Sequence, residues 1–117
     1  MPGPVTNLRS LDSANFKTSK KADAVNDVLK AKLGLQHRYE PARLAIAHSL
    51  ALPDPAPPLT GDDADDSGKV IMGKTLFGDD ELPVWVALIV EKSGLPHPSV
   101  EDIQEQVRRH WQRGILL

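Results

Sequence analysis

The stretch Gly68-Lys69-Val70-Ile71-Met72-Gly73-Lys74-Thr75 matches, letter for letter, the phosphate-cradling pattern G-x-x-x-x-G-K-[ST]. That chemistry needs a buried strand before the loop and a helix beginning at the lysine, so that backbone amides and helix dipole converge on phosphate. Here a proline-rich, acidic stretch precedes the pattern, Gly78 and Pro83 interrupt the segment after it, and Val70, Ile71 and Met72 would put apolar side chains in the cradle. The stretch is therefore read as a short strand or hairpin near residues 69–77. The preceding Asp62, Asp63, Asp65 and Asp66 are hard ligands, but Ala64 and Ser67 break the calcium-loop spacing. His37, His48, His97 and His110 include no pair at metal-ligand spacing. A nucleophile elbow is missing, and so is any cysteine. These motifs assign no catalytic residue, metal ligand or cofactor.

Basic side chains are the better lead. The formal net charge is −2, yet residues 1–50 hold eight Lys/Arg against four acids, while residues 51–117 hold six against twelve. Such asymmetry can make a basic surface on an acidic protein. Lys17, Lys20 and Lys21 lie around the start of one expected helix, where phosphate could also meet exposed amides. Arg38 and Arg43 lie near the start of the next, and the two helix starts form one patch if they face the same way. Aromatic residues do not alternate with these cations, Tyr39 alone standing between two of them, which argues for contacts to backbone phosphate over a stacking platform for single strands.

The elements that must position these residues are mostly helical. The chain is expected to organise around a helix beginning near Pro41, whose missing N–H costs nothing in a first turn. From Leu44 to Leu52 only His48 and Ser49 are polar, so most of this helix needs covering, with His48 as an interior or interface residue. Upstream, Ser19 reads as an N-cap for an amphipathic helix over residues 20–33, with Val25, Leu29 and Leu33 as its stripe, Ala22 and Val28 beside it, and Gly34 closing it. Lys20, Lys21, Asp23, Asp27 and Lys30 fall outside that stripe. Residues 1–14 read as a flexible arm, and the segment around Phe16 as extended. Residues 53–68, rich first in proline and then in aspartate, read as a mobile acidic loop. Asp79 and Asp80 can cap a short buried helix containing residues 82–90 and ending near Gly94. Its apolar run is the longest in the chain and far too short to span a membrane. Ser99 caps a last helix with the stripe Val100, Ile103, Val107 and Trp111, closed by Gly114. The expected fold class is a mainly α, single small domain with a short N-terminal extended segment and a start like a ribbon-helix-helix unit, whose ribbon would form between two subunits. A signal peptide's basic and apolar regions are missing from residues 1–9, so the expected location is the cytoplasm.

Phe16-Lys17-Thr18-Ser19, Lys32-Leu33-Gly34-Leu35, Ala42-Arg43-Leu44-Ala45-Ile46-Ala47-His48-Ser49-Leu50, Thr75-Leu76-Phe77-Gly78 and Arg113-Gly114-Ile115 together, in this order, resemble the DndE family of bacterial DNA phosphorothioation, or DNA sulfur modification, systems. The resemblance runs from about residue 15 to residue 117. It implies a helical, self-associating protein, a tetramer, without a catalytic site. Such a protein would bind duplex DNA, preferably nicked, through surface lysines, while partner proteins of the system mobilise sulfur. Carried over by position, Lys17, Lys20 and Lys21 are the implied phosphate contacts, with Lys30, Lys32, Arg38 and Arg43 behind them. The acidic run and the negative net charge depart from that picture. Two alternatives stand beside it: a ribbon-helix-helix regulator reading bases from a strand near Asn15 and Lys17, and a scaffold subunit that holds partner proteins without touching DNA.

Overall fold

The computed structural model describes residues 8–78 and 80–116. Its elements in chain order are α1 (Leu8–Asp12), β1 (Asn15–Phe16), α2 (Lys20–Lys32), α3 (Tyr39–Leu50), β2 (Ile71–Met72), α4 (Gly73–Phe77), α5 (Leu82–Ser93) and α6 (Val100–Ile115), with a 3-10 turn at Gly61–Ala64 between α3 and β2. The molecule is thus mainly helical, as expected, with a short extended segment at β1 and a short strand at β2; the two pair as one small antiparallel sheet, and residues 73–77 of the expected strand or hairpin are helical. Part of the expected arm, residues 1–7, and the expected cap Asp79 lie outside the described residues. Within the remainder of that arm, α1 is helical and its Leu11 is fully buried.

The sheet pairs Asn15 with Met72 and Phe16 with Ile71. The strand that a ribbon-helix-helix dimer would share between subunits is here satisfied within one chain. Phe16 is buried and meets Phe77 edge-on, with ring centroids 5.8 Å apart. Gly73 starts α4 directly after β2, leaving no loop between strand and helix to wrap a phosphate. A Cβ on Gly73 would overlap the Leu11 carbonyl oxygen, and one on Gly68 would overlap that of Thr18. Both glycines of the phosphate-loop pattern therefore serve the close passage of one backbone over another.

The centre of the fold is the packing of α3 on α6. The stripe expected on α6 is observed: Ile103, Val107 and Trp111 are buried, and Val100 packs partly against them. Ser99 caps the helix through a reciprocal box with Asp102, its Oγ accepting from the Asp102 amide at 3.0 Å while the Asp102 carboxylate accepts from the Ser99 amide at 3.0 Å. Gly114, expected to close α6, lies in its last turn, one residue before the end at Ile115. A Cβ at that position would overlap the Ala45 carbonyl, so the absence of a side chain is what lets the two backbones meet.

This crossing brings three polar side chains together. Arg113 Nε donates to Ser49 Oγ at 2.8 Å, and Arg113 Nη2 donates to the Ser49 carbonyl at 2.8 Å. The same Ser49 hydroxyl is hydrogen-bonded to His110 Nδ1, 2.8 Å away. His110 is fully buried, and its Nε2 has no hydrogen-bond partner among the described residues. Burial first, and then the charges of Arg113 and Lys92, push the His110 imidazole down to about 4. Arg113 also bonds the carbonyls of Asp54 at 3.0 Å and Pro55 at 3.2 Å, so it closes the C-terminal turn of α3 and pins the proline-rich exit. His48, expected to be an interior or interface residue, is not in the interior of this chain but exposed on its surface; the buried histidine is His110.

The depressed imidazole has a consequence for stability. Between about pH 6.5 and 4 the unfolded chain binds a proton at His110 that the folded chain refuses, so stability falls as pH falls through that window. Urea denaturation should show a loss of about 3 kcal/mol across it that is largely absent from the His110→Gln variant.

Candidate nucleic-acid interface

The N-terminal turn of α2 is built by residues far away in sequence. Ser19 takes extended backbone angles and its Oγ accepts from the Ala22 amide at 3.0 Å, the N-cap expected from sequence. The hydroxyls of Thr18 and Ser19, both buried, donate to Gln112 Oε1 at 3.0 and 2.9 Å. Gln112 Nε2 then donates to Asp63 Oδ1 at 3.0 Å, linking α6, the start of α2 and the acidic segment. Lys20 and Lys21 are exposed on this turn, and Lys17 just before it keeps 40% of its side chain in solvent.

The buried face of α2 is not the one its apolar spacing announces. Ala22, Asp23 and Asn26 are buried, Val25 and Leu29 are partly so, and Val28 and Leu33 are exposed at 53% each. Hydrogen bonding explains the rotation. Asp23 Oδ1 accepts from Arg38 Nη2 at 2.9 Å, and Asn26 accepts from the Trp111 indole at 3.4 Å while donating to the Arg38 carbonyl at 3.1 Å. A buried carboxylate and a buried amide with partners on other elements fix the facing of the helix more tightly than a run of small aliphatics.

The seven cations expected at the interface therefore fall into three groups. Lys17, Lys20 and Lys21 stand together at the start of α2. Lys30 and Lys32 lie toward its other end, roughly 15 Å along the axis at 1.5 Å per residue. Lys30 borders a cleft with His37, Arg38, Tyr39 and Met72, and Lys32 borders an apolar groove between α2 and α3. Arg38 and Arg43 form the third group, and their guanidinium groups are engaged inside the fold. Arg38 pairs with Asp23 and donates to the Lys69 carbonyl at 3.2 Å. Arg43 donates to the carbonyls of Leu76 and, at 3.1 Å, Thr75, and stacks 4.3 Å above the Tyr39 ring. The two helix starts do approach each other, through the Arg38–Asp23 pair, but that pair is neutral overall.

Sequence reading missed the residues that organise this face. Arg108 Nη2 donates to the carbonyls of Ala64 at 2.8 Å and Asp65 at 3.3 Å, while its Nη1 pairs with Glu105 at 3.0 Å. Gln112 has the look of one polar residue of an amphipathic helix. The only signal of its burial is its place beside Trp111, near the apolar stripe. Among the described residues, no three His, Asp or Glu side chains converge as a metal ion requires, and no helix is long and apolar enough to cross a membrane.

Fold and face together define a small helical domain that exposes a lysine-rich helix start, with Arg38 and Arg43 folded inward. The sequence model of the DndE family, described as DNA sulphur modification protein DndE, matches residues 15–117, and the chain belongs to that family. Membership implies a role in DNA sulfur modification and association with a DNA phosphorothioation system. No curated protein matches the chain.

The division among the cations is testable by stability alone. Arg38→Ala should cost about 3 kcal/mol in urea denaturation, because it strands the buried Asp23 carboxylate. Arg43→Ala should cost about 1–2 kcal/mol by unpairing two carbonyls, whereas Lys20→Ala and Lys21→Ala should stay within about 0.5 kcal/mol of the parent.

Proposed function

We propose that this protein is a non-catalytic accessory subunit of a phosphorothioation system that binds duplex DNA, nicked DNA preferentially, in the cytoplasm. The observation that carries the reading is the group Lys17, Lys20 and Lys21, set around the N-terminal turn of α2. There the backbone amides and the helix dipole favour an anion as the lysines do. Solvent-facing lysines and engaged arginines suit recognition of backbone phosphate, which positions a protein on DNA without reading its bases. Lys30 and Lys32, farther along the same helix, extend the track to further phosphates.

Self-association, as a tetramer, belongs to the same proposal. The groove between α2 and α3, with a volume of about 410 Å³, is lined by Val25, Val28, Leu29, Leu33, Leu44 and Ile115 among others, and Val28, Leu33 and Leu44 each expose half or more of their surface. Exposed apolar surface of this kind marks an interaction site. A scaffold role toward partner proteins is the second reading, favoured by Val84 and Leu88, one turn apart on α5 and 59% and 52% exposed. The ribbon-helix-helix alternative draws no support from β1, whose pairing is already met within the chain.

Binding of the purified protein to nicked, intact and single-stranded DNA across a salt series tests the DNA role. Each phosphate contact contributes about 0.9 to the magnitude of the log–log salt slope on duplex. The expected result is tighter binding to the nick, with a slope that shrinks by about 0.9 for each phosphate partner removed when Lys17, Lys20 and Lys21 are changed to alanine. Absence of binding to every form at low salt would leave the scaffold reading.

A further inference from the structure

The acidic segment and the lysines of the proposed DNA face are in direct contact. Asp65 Oδ2 accepts from the Lys20 backbone amide at 3.1 Å, across 45 residues of chain. Asp66 Oδ2 lies 3.7 Å from Lys17 Nζ. The segment also forms one wall of a cleft shared by Lys20, Lys21, Gly61, Asp62, Ala64 and Asp65. An amide in the first turn of α2 and the Lys17 ammonium are donors that a DNA phosphate on this face would use. Both are already held by carboxylates of the same chain.

Two features separate this arrangement from ordinary capping. First, α2 already has its own N-cap in Ser19, so Asp65 is a second anion at a helix start whose cap is filled. The Ser67 hydroxyl, at 2.8 and 2.6 Å from the two Asp65 oxygens, and then the Lys20 amide hold that carboxyl below its usual range, which keeps it anionic. Second, the segment is held without apolar anchorage. Ala56 is buried on one side of it and Ile71 on the other, but no residue from 57 to 70 is buried. Its contacts are polar: Arg108 with the Ala64 and Asp65 carbonyls, Gln112 with Asp63, the Gly68 amide with the Thr18 carbonyl at 2.8 Å, and the two contacts to Lys17 and Lys20. The Gln112–Asp63 bond is partly buried, but the ion pair to Lys17 and the bonds to the Lys20 amide and from Arg108 are exposed; such contacts each add little, weaken with salt, and exchange readily for equivalent bonds to water or another anion.

We propose that residues 62–66 are an intramolecular stand-in for DNA phosphate, with the Asp65 and Asp66 carboxylates occupying anion positions at the Lys20 amide and Lys17 until duplex DNA displaces them. The inference rests on the DNA-binding reading above and adds its regulation. The chain thereby lowers its affinity for any isolated anion and requires a ligand with several phosphates in register, which a duplex backbone supplies. Arg108 and Gln112 are positioning residues in this device, since they bind the segment and not the ligand.

The test compares Asp65→Asn/Asp66→Asn with a control of equal charge change, Asp80→Asn/Glu91→Gln, which neutralises exposed acids outside the segment. In fluorescence anisotropy with intact and nicked duplex at low salt, the first pair should bind about tenfold more tightly than the parent, and its salt slope should steepen by about 0.9 for each phosphate contact restored. The control should change affinity less than about twofold. Equal gains in the two double variants, or no gain in the first, overturn the proposal. A separate NMR titration with inorganic phosphate reads the occlusion without DNA. The Lys20 amide resonance should move in Asp65→Asn/Asp66→Asn and stay in place in the parent. If no protein binds DNA, the DNA reading fails by itself; an unmoved Lys20 amide in the variant overturns the occlusion whatever the DNA result.

Discussion

The crossing of α3 and α6 at Gly114 and Ala45 sets the position of nearly everything else. With no side chain on Gly114, the last turns of α6 lie against the α3 backbone, and Ser49 comes within reach of both His110 and Arg113. The other side of α6 then faces α2, where Trp111 bonds Asn26 and Gln112 collects the hydroxyls of Thr18 and Ser19. Nearer the start of α6, Arg108 grips the acidic segment and Gln104 donates to the Asn15 carbonyl on β1 at 2.8 Å. One helix thus couples the core to the lysine-bearing turn. A shift of α6 would move the start of α2 and the carboxylates beside it together.

Cations in this molecule are sorted by what they can bond. Guanidinium forks take carbonyls and the carboxylates of Asp23 and Glu105, as Arg38, Arg43, Arg108 and Arg113 do, because several fixed donors match several fixed acceptors. Lys17, Lys20 and Lys21 keep their ammonium groups near solvent, where a point charge on a flexible stem can follow a phosphate backbone. The family's role in DNA sulfur modification fits a surface of this kind, and under the proposed DNA reading the carboxylates of residues 65 and 66, which contact the Lys20 amide and Lys17, would compete with phosphate there.

How much of this can be read from the sequence differs by the kind of force at work. The α6 stripe and its Ser99 cap, the Ser19 cap and the Gly94 end of α5 are legible because they depend on local spacing and on bonds to nearby backbone groups. The facing of α2 is not, because Asp23 and Asn26 are buried by Arg38 and by Trp111 of α6, which no local pattern reveals. Gly114 has the look of a helix stop, yet its function is set by the backbone of Ala45, on a helix far away in the chain. The acidic segment reads as solvated and free for the same reason. Its composition is that of a loop, and only the fold supplies Arg108, Gln112 and the Lys20 amide that hold it.

The N-terminal turn of α2 is, on this account, where the protein meets DNA. Photochemical cross-linking of the intact protein to a nicked duplex carrying reactive groups along its backbone, followed by mass spectrometry of the joined peptides, tests it most directly. Cross-links concentrated on the peptide containing Lys17, Lys20 and Lys21 are the predicted result. Cross-links confined to α5, or to the apolar groove around Leu33 and Leu44, with none at the start of α2, would contradict it.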